Sequence, residues 1–159
     1  MNSDFSIIIA LIIAVVLLVG VPLAFTAQQV DKMSQDVSET EVSNFVNDAA
    51  KKWEITQEDI DHLKMRLPSQ NNYVVEIEVW RLDENSEKKA SITNSKKNGE
   101  NGYVGYFQKD IDEGIRLYGS FKLEKDDTIK ATVYNTNPTM AQPNGDITTN
   151  YASATATVY

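Results

Sequence analysis

The chain contains no cysteine, a single histidine, and no charged residue between Phe5 and Val30. Without cysteine there is no disulfide framework, no thiol nucleophile and no Cys-ligated zinc site. His62 alone leaves no His–His metal pair. Basic residues are outnumbered, 15 Lys and Arg against 23 Asp and Glu, for a net charge of −8. Phosphate backbones are bound by basic surfaces, so this balance argues against a nucleic-acid partner. No Gly-x-Ser-x-Gly elbow and no phosphate-binding loop is present. These absences point away from an enzyme. The length of 159 residues allows one ordinary domain plus an appendage.

What is present is segregated. All 15 Lys and Arg and 22 of the 23 acids follow Val30. Phe5–Ala27 reads FSIIIALIIAVVLLVGVPLAFTA. As a helix it spans about 34 Å, enough to cross a hydrocarbon core of ~30 Å. Backbone in lipid must satisfy its own hydrogen bonds, so a helix is the expected state. A cleaved signal peptide would carry a basic start and a small-x-small exit. Met1-Asn2-Ser3-Asp4 has no cation, and Phe25 spoils the exit at Ala27. A buried core helix would need more apolar chain around it than remains. A retained transmembrane segment at residues 1–27 is therefore expected, followed by an extracytoplasmic domain at 28–159.

Lys32 is the only cation near the span, so the positive-inside rule has little to count. The acidic remainder favours a domain outside the cell. Pro22 lacks an N–H and crowds the carbonyl four residues back, so a kink or local melting is expected at Leu18–Pro22. Ala10, Ala14 and Gly20 are small enough to let helices approach closely.

Beyond the membrane, Gln28–Glu54 keeps helical character without Gly or Pro. Val30, Met33, Val37, Val42, Phe45, Val46, Ala49, Ala50 and Trp53 form one stripe. Its upper part is expected to be exposed or partner-bound, and its lower part, with Phe45 and Trp53, to pack on the domain. Thr56 and Asp59 read as a capping box, with Ile55 and Ile60 as its staple. A short helix at Gln57–Leu67 follows, with Ile60 and Leu63 facing inward and Pro68 as its stop. Tyr73–Arg81 alternates as a half-buried strand with an acidic outer face. Asp83–Lys89 reads as a turn-rich excursion, Ala90–Thr93 as a weak strand and Asn94–Gly102 as a polar loop. Tyr103–Tyr118 fits a helix or a strand followed by a helix, capped by Gly119. Phe121–Glu124 and Thr128–Asn135 flank Lys125-Asp126-Asp127 as a hairpin. Pro138–Asp146 is a loop. Ile147–Tyr159 alternates as a last strand whose small side chains make it a poor core contributor. The fold class is α+β, a long N-terminal helix laid on a small antiparallel sheet.

Candidate chemistry is thin. Asp126-Asp127 and Asn144-Gly145-Asp146 are oxygen-rich loops of the kind hard cations use, but neither has calcium-loop spacing. Glu76 and Glu78 lie two apart on one strand face, as exposed sheet surface rather than a cleft. His62, Lys51-Lys52 and Lys96-Lys97 read as solvated positions. The tyrosines of the last third, from Tyr103 to Tyr159, read first as core and strand formers and second as interface anchors. No cofactor, no metal and no small-molecule substrate is expected.

An apolar N-terminus, a helix continuing out of the membrane and a small sheet domain together resemble type IV pilins and pseudopilins. More narrowly, the chain resembles small pilin-like proteins of Tad (Flp)-type pilus loci in Gram-positive bacteria. The residues that carry this are Phe45–Leu67 (FVNDAAKKWEITQEDIDHLKMRL), Tyr73–Asn85 (YVVEIEVWRLDEN) and Leu123–Gln142 (LEKDDTIKATVYNTNPTMAQ). The chain departs from the family at its start: no Gly precedes Gly20, and residue 5 is Phe, with Asp4 the nearest acid. The resemblance implies a structural or minor subunit of an extracellular filament, or of its assembly machinery. The apolar helices would then bundle with those of other pilin-like subunits, with membrane lipid as the earlier partner. The competing expectation is a single-pass, membrane-tethered extracellular binding module that does not polymerise.

Overall fold

A computed structural model describes residues 3–69, 71–82, 103–139 and 151–159. The readings at Asp83–Lys89, Ala90–Thr93 and Asn94–Gly102 lie outside these residues. So does most of the Pro138–Asp146 loop.

Helix α1 runs from Ser3 to Lys52, 50 residues and about 75 Å. It passes Pro22 without interruption, so the melting expected at Leu18–Pro22 does not occur. The Thr26 hydroxyl donates to the Pro22 carbonyl at 2.9 Å, closing the turn on its own polar groups. Every side chain from Ser6 to Thr26 is exposed, and partial burial starts at Ala27.

The apolar stripe of α1 leaves Met33 and Val37 of its upper part exposed, in line with the expectation, and buries Val42, Phe45, Val46, Ala49 and Ala50 of its lower part. Met33 is 66% and Val37 42% exposed, while Ser34 and Ser38 are buried. The core-facing line climbs through Ser34, Ser38, Val42, Phe45, Val46, Ala49 and Ala50. Small polar side chains suffice on that line, because the Ser38 hydroxyl is satisfied by the Ser34 carbonyl at 2.8 Å.

Helix α1 ends at Lys52, and Trp53 takes a left-handed backbone at φ 62°. Trp53 therefore ends the helix instead of filling the core, and its side chain is 40% exposed. Its carbonyl accepts from the Leu123 N–H at 2.9 Å, and this tie holds the turn. Strand β1 (Glu54–Thr56) follows, then α2 (Gln57–Arg66). The capping box is formed as expected. The Thr56 hydroxyl accepts from the Asp59 N–H at 3.2 Å, and Asp59 accepts from the Thr56 N–H at 3.1 Å.

The main sheet contains β2 (Tyr73–Leu82), β3 (Tyr103–Tyr106), β5 (Thr128–Asn135) and β6 (Tyr151–Thr157), in the order β3-β2-β5-β6, all antiparallel. Between them in sequence lie α3 (Gln108–Tyr118) and β4 (Ser120–Lys122). Three cross-strand rungs make the inner face: Val75–Val133–Ala152, Ile77–Ala131–Ala154 and Val79–Ile129–Ala156. The alanines of β6 let α1 lie close against that strand. The trait that made β6 look a poor core former is what admits the helix.

Tyr103–Tyr118 resolves into a strand and then a helix. The Asp110 carboxylate accepts from the Phe107 N–H at the start of α3, and Gly119 ends it at φ 81°. On β3, Gly105 lies under the Trp80 ring, where a Cβ would come within 2.8 Å of it. The expected hairpin across Lys125–Asp127 is not formed. Strand β4 pairs with β1 in a separate two-stranded sheet, in the register Ile55↔Phe121. The turn is stitched to the chain end instead: Asp126 N–H donates to the Val158 carbonyl, and Val158 N–H to the Asp127 carbonyl.

The packing generates a contrast that unfolding of the full chain in detergent micelles measures. Ile77→Ala, at a site 1% exposed, is expected to cost about 2–5 kcal/mol, and Met65→Ala, 73% exposed, under about 0.5 kcal/mol.

Candidate membrane and assembly helix

The apolar half of α1 is the largest exposed apolar surface among the described residues. Ile7, Leu11, Val16, Leu18, Leu23 and Phe25 are each more than half exposed. Monomeric soluble proteins do not leave such a stretch in water. The helix is long and apolar enough to cross a membrane. Its apolar turns and the turns that build the core belong to one unbroken helix.

Ala10, Ala14, Gly20 and Pro22 all sit on this exposed length. Ala10 and Ala14 are one turn apart on one face. Gly20 lies roughly 120° round the helix from Ala14, so the three small residues do not form a single contact face. A Cβ at Gly20 would meet nothing within 4 Å. Of the residues expected to pack in the domain, Phe45, Ile60 and Leu63 are buried at 7%, 3% and 3% exposure, and Trp53 is not.

The polar candidates are occupied by structural work. Asp127 is fully buried, and Arg81 donates to it from Nε at 3.0 Å and from Nη2 at 2.7 Å. The Glu124 N–H adds a further bond at 2.8 Å. Arg81 also donates to Glu124 and to the Lys122 carbonyl, and its guanidinium lies 5.3 Å from the Tyr106 ring centre. A carboxylate saturated by such donors has no lone pair facing solvent for a cation. Asp126 is exposed on its own, and Asn144–Asp146 lies outside the described residues. Among the described residues no group of three or more His, Asp and Glu is placed to hold a metal ion.

Glu76 accepts from the Tyr134 hydroxyl at 2.9 Å, and Glu78 pairs with Lys130 at 3.7 Å. His62 is exposed, 3.8 Å from Glu58. The groove between α1 and α2 gathers Glu41, Asp48, Lys52, Asp59, His62 and Arg66. Its charges pair off as Lys52–Asp59 at 2.6 Å and Arg66–Glu41 at 3.5 Å. Tyr118 and Tyr159 are far exposed and Tyr151 is half exposed, so these three are not core formers. Strand β1, the Trp53 turn and the Arg81–Asp127 pair were missed in sequence. Arg81 and Asp127 are 46 positions apart, and only pairing of β2 with β5 brings them near.

Comparison with family models, with curated proteins and with solved structures finds no match to the chain.

Two outcomes follow from these pairs. Asp127→Ala leaves Arg81 half-buried without its main partner, and is expected to cost about 3 kcal/mol or more in chemical unfolding. Burial alone would raise the Asp59 carboxyl, but bonds from the Lys52 ammonium and from the Thr56 hydroxyl and N–H outweigh it and hold it below its ordinary value. A depressed carboxyl stabilises the fold above its unfolded pKa, and that contribution is lost as pH falls through the folded one. Thermal midpoints of the wild type should therefore drop more steeply below about pH 4 than those of Asp59→Asn.

Proposed function

We propose that this protein is a pilin-like structural or minor subunit of a type IV or Tad-type filament, or of the machinery that assembles it. The supporting observation is the continuity of α1: residues 6–26 are exposed and apolar, and the same helix supplies Val42–Ala50 to the domain core. A flexible linker between anchor and domain would suit a tether that presents a freely moving module. A single rod instead transmits the position of the membrane helix to the domain. Helices packed side by side would set the domains around them in a fixed array, and an array of this kind is what a filament needs.

In this reading α1 holds the subunit in the cell membrane as a single pass, with the domain outside. The apolar length then leaves lipid for the helices of neighbouring subunits. Lipid tails and helix side chains are equally apolar, so the exchange is governed by packing rather than by hydrophobicity. Ala10 and Ala14 permit close approach on one face. The Gram-positive setting suits a domain that folds without disulfides.

Shearing of intact cells tests the reading. Release of the full-length chain into the sheared fraction, in particles that sediment as polymers, is expected. Ala14→Trp should reduce that release by about tenfold or more while leaving the membrane-bound amount unchanged. Full retention of the wild type in the membrane after shear would favour a tethered binding module instead.

A further inference from the structure

From the end of the membrane-length segment upward, one face of α1 lies away from the buried line that enters the core. It carries Thr26, Val30, Met33, Val37, Thr40 and Asn44, spaced 4, 3, 4, 3 and 4. That is the a/d repeat of a coiled-coil seam. The same spacing runs back without a break through the apolar segment to Ile9. Met33 is 66% and Val37 42% exposed, Thr26, Thr40 and Asn44 are exposed, and Val30 is partly buried. The line that enters the domain core, Ser34 through Ala50, is centred roughly 135° away round the helix. Lipid can cover the seam only up to the membrane surface. Val30 to Asn44 rises about 20 Å farther.

We infer that this seam packs against the same seam of a second copy of the chain, parallel and in register, from the membrane segment up to Asn44. The inference rests on the proposed filament-subunit reading and names the partner of its helix. Four features select a second copy. Every copy enters the membrane in the same direction, so identical seam positions meet. No seam position from Ile9 to Asn44 is charged, so self-pairing brings no like charges together, in a chain whose net charge is −8. The two seam threonines already donate their hydroxyls to the carbonyls of Pro22 and Asp36, both at 2.9 Å, so burying them strands no donor. Glu41, beside the seam, is turned onto Arg66 of α2 at 3.5 Å. Val30 and Val37 at a positions are the β-branched choice that suits two parallel strands, and Asn44 at another a position favours one register.

The seam does not use Ala10 and Ala14, which lie on a different side of the helix. A subunit would thus have two contact faces, one small-residue face within the membrane and one heptad face that extends beyond it.

The absence of native cysteine makes the test direct. Single cysteines are placed at Val30, Met33, Val37 and Thr40, and at the off-seam positions Lys32, Asp36 and Glu39, in the full chain in cell membranes. Mild oxidation followed by non-reducing electrophoresis reads the dimer. A disulfide needs Cβ atoms about 4 Å apart, so seam positions should cross-link about tenfold more than off-seam ones, rising and falling with the 3-4 spacing. Adding Met33→Glu to the Thr40→Cys chain should cut its dimer by about tenfold. A flat profile, a maximum at Lys32, Asp36 or Glu39, no dimer at any position, or cross-links only to a heavier foreign protein would each overturn the inference. Shear release with no seam cross-links removes the seam and keeps the filament reading. Seam cross-links in a chain never released by shear keep the parallel pair and remove the filament.

Discussion

Docking of Val42, Phe45, Val46, Ala49 and Ala50 onto the inner face of the sheet is the contact on which the other elements depend. A four-stranded antiparallel sheet with one apolar face is unstable until that face is covered. Here a single helix does most of the covering, with Ile111 and Ile115 of α3 and Ile60 and Leu63 of α2 completing the core. The close approach of α1 to β6 depends on Ala152, Ala154 and Ala156, because larger side chains there would push the helix outward. The small strand residues and the aliphatic helix residues are therefore one solution to one packing problem.

That contact also explains what surrounds the end of α1. The helix has to stop where the sheet stops, and the chain has to turn back sharply enough to start β1. Trp53 makes the turn in a left-handed backbone that a bulky residue adopts at some cost. The bond from Leu123 and the pairing of β1 with β4 offset this cost. On the far side of the core, the Arg81–Asp127 pair, the Glu124 N–H and the Val158 ties join β2, the β4–β5 turn and the chain end. Both sets of ties close the periphery around a core that the helix has already organised.

The parts legible in sequence are those specified by neighbours along the chain. The Thr56–Asp59 box, the alternation of Tyr73–Arg81 and the left-handed Gly119 need only a few adjacent residues to be recognised. The parts that were misread depend on distant partners. Ser34 and Ser38 are buried without any apolar periodicity to announce it, because small polar side chains carry no such signal. Trp53 continues the helical spacing of the core stripe, and that periodicity does not show that the helix stops one residue earlier. The Lys125–Asp127 segment has the composition of a hairpin turn, yet its flanking strands pair elsewhere because Arg81 and Val158 hold it. Long-range pairing of this kind leaves no local periodicity to read.

The exposure of Met33 and Val37 is the informative feature. A helix that served only the domain would turn its apolar side chains toward it and leave polar ones outside. Helix α1 does this from Val42 onward but not below. Between Met33 and Ser38 it buries the small serines and leaves Met33 and Val37 exposed, reversing the usual polarity over about one and a half turns. Exposed aliphatic residues in water are a standing cost, which association removes. The reversed stretch also continues the spacing of the apolar segment below it. Among the described residues, Met33, Val37, Thr40 and Asn44 stay exposed on the side of the rod away from the core-facing line. A subunit built this way can hold its domain rigidly and keep a continuous helical face open to a neighbour.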